Sequence, residues 1–221
     1  MQAATKAIVG SQVELLNAFG DLPSNVDVLI APSALHIGSV QATLRPDVLV
    51  AAQDVHYVKG LGAFTGSHTV DQLADAGVKW TLTGHSERRT LFGETDEQTA
   101  MKTKAALDAG ISVVLCIGES LAEREAGSTL PVVFRQLQAA VSVLPKDAWA
   151  RVVVAYEPVW AIGTGKVCTG GERGLSVRHA LLGAPILRGR LRRLNKRRRS
   201  TPRCERGSRQ PSAPTSRPRC A

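Results

Sequence analysis

Two side chains in this sequence have the type and setting for proton transfer. His85 stands in TGHSERR, directly after the apolar run VKWTLTG and directly before Ser86-Glu87, which reads as a helix start. Glu157 stands in VVVAYEPVWAIGTGK, where three valines, Ala155 and Tyr156 form an apolar run that ends on the acid. An imidazole and a carboxylate facing one pocket can serve as proton donor and general base. Apolar neighbours such as Trp160 and Ile162 can move the acid toward a useful pKa once a segment closes over it. Taken singly, each residue has an ordinary reading. A histidine after a strand is usually a satisfied structural group, and a glutamate at a strand end usually a surface or ion-pair residue. Glu87, Arg88 and Arg89 alone would be a solvated turn.

The elements that must position this pair are legible as compact apolar runs. VDVLIAPS reads as a first strand over 26–31, followed by DVLVAAQDV, VKWTLTG, ISVVLCIG and ARVVVAYE. Each is bounded by turn residues, as suits strands covered on both faces. Helical patterns lie between them. Ala4, Ala7, Ile8, Leu15, Leu16 and Phe19 predict an amphipathic N-terminal helix, and ALHIGSVQATL a second one. The clearest covers 95–109: Thr95 and Gln98 form a capping box, Asp96 and Glu97 suit the positive end of the dipole, and Gly110 can stop the helix. Strand–helix alternation implies parallel strands with right-handed crossovers. An open doubly wound sheet and a barrel both satisfy that rule, and no GxGxxG follows the first strand to favour a dinucleotide site. In either architecture functional side chains gather at the C-terminal strand ends, which puts His85 and Glu157 on one rim.

Composition bounds the function classes. The 221 residues are 43% hydrophobic but only 4% aromatic, so the core is aliphatic. The sequence holds no apolar run near the length of a membrane span and no charged-then-apolar leader, which points to a cytoplasmic protein. Cysteines 116, 168, 204 and 220 lack metal-ligand or CxxC spacing and read as reduced thiols, so neither metal nor cofactor is expected. The net charge of +9 divides unevenly: residues 1–169 carry 13 Lys+Arg against 17 Asp+Glu, and residues 170–221 carry 15 against 2. The expected organisation is therefore a mildly acidic folded region, 1–169, and an Arg/Pro-rich disordered tail, 170–221. The run RGRLRRLNKRRR, 188–199, allows nonspecific binding to a phosphate backbone, but no aromatics interleave it for base stacking. A solvated tail is the expectation, with nucleic-acid binding as an alternative.

The stretches TGHSERR and AYEPVWAIGTGK both resemble the triosephosphate isomerase family, as do GAFTG at 62–66 and CIGE at 116–119. The resemblance covers roughly 1–169. It implies an eight-stranded (β/α) barrel that interconverts dihydroxyacetone phosphate and glyceraldehyde 3-phosphate through an enediolate, a step of glycolysis and gluconeogenesis. It implies that Glu157 is the base and His85 the electrophile that polarises the carbonyl. Pro158, Val159, Trp160, Ala161, Ile162, Gly163, Thr164, Gly165 and Lys166 resemble the family's closing lid. The backbone N–H of Gly163 matches the position that meets the substrate phosphate, where a glycine permits close approach. GAFTG resembles the loop that inserts into a neighbouring subunit, with Thr65 at its tip, so a homodimer is implied.

The sequence also departs from that family. Ser67-His68 stand where an acidic and a β-branched residue are common. The family's first strand, with its substrate-holding Lys and Asn, has no match, because the chain opens in what resembles the following helix. Nothing in 170–221 matches the last two strand–helix units. The expected fold is thus an incomplete (β/α)8 barrel with five recognisable parallel strands. Its open edges predict marginal stability or dependence on a partner. Isomerase activity of this chain is expected to be little or none. The alternative is a non-catalytic remnant that associates with intact subunits.

Overall fold

In the computed structural model, residues 5–58, 60, 62–157 and 159 are described. Five strands, β1 (Val28–Ile30), β2 (Val48–Ala52), β3 (Trp80–Thr83), β4 (Ser112–Ile117) and β5 (Val152–Tyr156), form one sheet in the order β1-β2-β3-β4-β5. Every pairing is parallel. This order decides between the two architectures left open by the sequence. A doubly wound sheet reverses its strand order at a switch point, whereas here each strand lies beside its predecessor, as in a barrel. The chain forms an incomplete barrel of five parallel strands.

Seven helices accompany the strands among the described residues: α1 (Lys6–Asn17), α2 (Ile37–Thr43), α3 (Val70–Asp75), α4 (Ser86–Leu91), α5 (Asp96–Asp108), α6 (Leu121–Glu125) and α7 (Thr129–Val143). Their starts follow from local chemistry. Thr69, Thr95 and Ser120 close capping boxes with Gln72, Gln98 and Glu123, so orphan amides at three helix starts have partners. The main core lies between sheet and helices, where Val113, Leu115 and Ile117 of β4 meet Ala105, Ala106 and Leu107 of α5 and Val133, Leu137 and Ala140 of α7. Val152, Val154 and Tyr156 pack against that core, and strand alternation turns Val153 to the opposite face, where it is 45% exposed.

Two expectations need correction. The first strand is three residues long, Val28–Ile30, and half-buried throughout, because among the described residues it pairs on one side only. The apolar stripe expected on the first helix is not its buried face. Val9 and Val13 are buried against Val40, while Ile8, Leu15 and Phe19 are exposed. The helix packs on α2 through a narrow valine seam, so the wider stripe has no described neighbour to cover it.

Candidate active site

The strand register brings the two sequence-predicted residues together. Thr83 of β3 is level with Leu115 of β4, and Tyr156 of β5 is level with Ile117. His85 stands two residues past the end of β3 and Glu157 one past the end of β5, on the two strands that flank β4. The Glu157 amide donates to the Ile117 carbonyl at 2.7 Å, extending the ladder to the acid itself.

Gly84 makes the turn that aims His85. Its φ of +67° is a left-handed conformation, and an added Cβ would lie 2.6 Å from Thr99 Cγ2 and 3.1 Å from the Cys116 carbonyl. Gly118 is equally constrained, since a Cβ there would stand 1.8 Å from the Glu157 carbonyl oxygen. Two glycines therefore let the β3, β4 and β5 ends converge on one point.

His85 is the N-cap of α4, and its Nδ1 accepts from the Glu87 amide at 3.3 Å. With Nδ1 used as acceptor, the proton of the neutral ring sits on Nε2. Nε2 faces Glu157 Oε1 at 3.4 Å. The other carboxylate oxygen, Oε2, accepts from the Ser86 amide at 3.4 Å, so the acid is turned toward the first turn of α4. The His85 and Glu157 side chains keep 31% and 24% exposure, enough to meet a small molecule from the rim. Cys116 is buried near the end of the neighbouring strand, β4. Burial, reinforced by the negative charge of Glu157, pushes its thiol up to about 12.

Around this centre stand groups to which the sequence alone gave no role. Glu119, fully buried, accepts from the Tyr156 hydroxyl at 3.0 Å and from Thr129 Oγ1 at 3.2 Å. Gln136 holds Gly118 from both sides, accepting from its amide at 2.8 Å and donating to its carbonyl at 3.0 Å. Lys102, 4% exposed, bridges both Asp54 oxygens at 2.9 and 2.7 Å and also donates to Glu94. Arg88 donates to Glu94 at 2.5 Å and pairs with Asp54 at 3.0 Å. The sequence signals for these are the CIGE stretch that contains Glu119 and charge placed inside otherwise core-like segments, such as Lys102 within the helical stretch 95–109.

Other expected site residues fall differently. Thr65 lies at an exposed turn beside Gly66, whose φ is +86°. Its neighbour Phe64 rests on the His56 ring, with centroids 4.7 Å apart. Val159 is half-buried. Pro158, Trp160, Ala161, Ile162, Gly163, Thr164, Gly165 and Lys166, and with them the lid and the tail, lie outside the described residues. A cavity of about 290 Å³ opens near the turn, lined by Ser33, Gln53, His56, Ser67, His68 and Arg88 among others; neither His85 nor Glu157 lines it.

A sheet of five sequential parallel strands with a carboxylate–imidazole pair at its C-terminal rim defines a (β/α)-barrel protein built around an acid and a ring. The family model described as triosephosphate isomerase matches residues 4–178. The chain belongs to the triosephosphate isomerase family. It is 51% identical over 159 residues to a triosephosphate isomerase of Emericella nidulans, covering 72% of this chain and 63% of that protein. It is 52% identical over 166 residues to that of Candida albicans, and 51% identical over 166 residues to that of Saccharomyces cerevisiae, in both cases covering 75% of this chain and 65% of the relative. The chain thus spans less than two thirds of the length of these relatives.

Proposed function

We propose that the Glu157–His85 pair is built for aldose–ketose isomerisation of a triose phosphate, dihydroxyacetone phosphate to glyceraldehyde 3-phosphate. The observation that carries this is the 3.4 Å approach of His85 Nε2 to Glu157 Oε1 with Nδ1 already occupied as an acceptor. Glu157 takes a proton from the carbon beside the substrate carbonyl. His85, with Nδ1 occupied as an acceptor, donates a hydrogen bond from Nε2 to the carbonyl oxygen as charge develops there. Water exclusion protects the enediolate from losing phosphate.

A polypeptide limited to these 221 residues carries the proton-transfer pair without a match to the family's first-strand lysine. Its turnover is therefore weak. Conversion of dihydroxyacetone phosphate by the purified chain is expected far below the roughly 10 s⁻¹ of a typical enzyme and lost in Glu157→Gln. Ordinary turnover would overturn the reading of an incomplete site. Equal rates with and without the carboxylate would overturn Glu157 as base.

The subunit pairs with a second copy, or with a full-length relative, through the loop around Thr65. Its exposed tip and the adjoining cavity supply a projection and a recess, as a self-complementary interface requires. The setting is cytoplasmic. No helix among the described residues is long and apolar enough to cross a membrane.

A further inference from the structure

The helix that presents His85 is short. α4 has six residues, too few for its own hydrogen bonds to hold it in place. The direction of the imidazole must be fixed from outside, and one residue bonds to the backbone at Gly84 through its side chain and at His85 through its amide. Arg89 Nε donates to the Gly84 carbonyl at 2.7 Å, while the Arg89 amide donates to the His85 carbonyl at 3.2 Å. The guanidinium also lies against Gly84, where an added Cβ would come within 2.8 Å of Nη2.

Arg89 is itself anchored. Its Nη1 donates to Asp96 Oδ1 at 2.5 Å, and Asp96 Oδ2 accepts from Arg135 Nε at 2.9 Å. The side chains of Arg89 and Asp96 are only 15% and 13% exposed, so this charge-assisted pair is little screened by water. Asp96 opens α5, the helix on which the sheet core packs. A rigid path therefore runs from α5 through Asp96 and Arg89 to the Gly84–His85 peptide.

We propose that Arg89 is a positioning residue for His85, setting the orientation of the Gly84–His85 peptide and through it the direction of the imidazole Nε2. The planar fork is what the geometry uses: one edge meets Gly84, the other Asp96. A lysine keeps the charge but offers no fixed pair of donors. The consequence for isomerisation rests on the proposed function, but the placement of the ring does not. The two can fail separately.

The test is nitrogen-15 imidazole spectroscopy on the full chain, with the His85 signals assigned by their loss in His85→Gln. In the parent chain His85 is expected as one tautomer, protonated on Nε2. Arg89→Lys should convert it to a mixture with Nδ1-protonated ring, at matched far-ultraviolet circular dichroism. Arg135→Gln, which touches the same Asp96 but not Gly84, should leave the signals in place. If Arg89→Lys does not fold, Asp96→Asn, which frees one edge of the fork, should give a smaller shift of the same kind. His85 signals unchanged in a folded Arg89→Lys, or in Asp96→Asn when that variant must stand in, would overturn the proposal. An equal shift in Arg135→Gln would overturn it too.

Discussion

Cys116 and Glu94 show opposite ways in which surroundings set a titrating group. The Cys116 thiol is pushed up to about 12 by burial and by the charge of Glu157, so almost no thiolate forms at neutral pH. Peptide-level mass spectrometry after treatment with a maleimide at pH 7 should find Cys116 unmodified in the folded chain and modified after denaturation. Fast native labelling would place Cys116 elsewhere. Burial pushes Glu94 up, but its bonds from Lys102 and Arg88 outweigh burial and hold it below its ordinary value. A lowered folded pKa contributes stability above the unfolded value, lost as pH falls through the folded one. Asp54 is raised by burial despite the same Lys102. Its ionisation therefore opposes folding at neutral pH. Asp54→Asn should cost less than Glu94→Gln at pH 7, and the Glu94→Gln deficit should shrink in acid; denaturant unfolding across pH measures both. Removing the shared cation is worse than either, because Lys102→Met leaves the Glu94 carboxylate and the half-buried Asp54 one to share Arg88. We expect a loss of about 3 kcal/mol by the same measurement, the lower end for breaking a buried pair.

The strand ends are the elements that make the site, and glycine positions at them separate two costs. Gly118→Ala drives a Cβ into the Glu157 carbonyl, a backbone atom that cannot swing aside. Unfolding should show a loss of about 1–3 kcal/mol or more, as for overpacking. Gly110→Ala has open space around it and a φ of +83°, so it should cost roughly 1 kcal/mol from backbone conformation alone. Equal losses at the two positions would mean that packing between β4 and β5 is not what Gly118 serves. Much at this scale was legible beforehand. The five strands, the Thr95–Gln98 cap and the start of α4 after His85 follow from patterns of a few residues. The buried face of α1 was not, because periodicity shows that a stripe exists but not which neighbour covers it. Nor was the Arg89–Gly84 tether, since a bond from side chain to backbone depends on the turn's geometry and leaves no spacing to read.

For the whole molecule, the exposed apolar surface is the main physical fact. Phe19, Leu35, Leu91 and Phe92 are all more than two thirds exposed, and among the described residues β1 and β5 each pair on one side only. Such a surface favours association. Sedimentation should show a concentration-dependent increase in mass that Phe64→Asp shifts toward monomer. An unshifted profile would remove the Thr65 loop from the interface. The proton chemistry can be asked apart from assembly and from full turnover. The most direct measurement is deuterium uptake from heavy water into dihydroxyacetone phosphate, with the chain and its Glu157→Gln variant side by side. The account predicts exchange above the buffer rate for the chain and at least a roughly 100-fold loss of that excess in the variant, the lower end of general-base effects. Equal exchange with and without the carboxylate would contradict it.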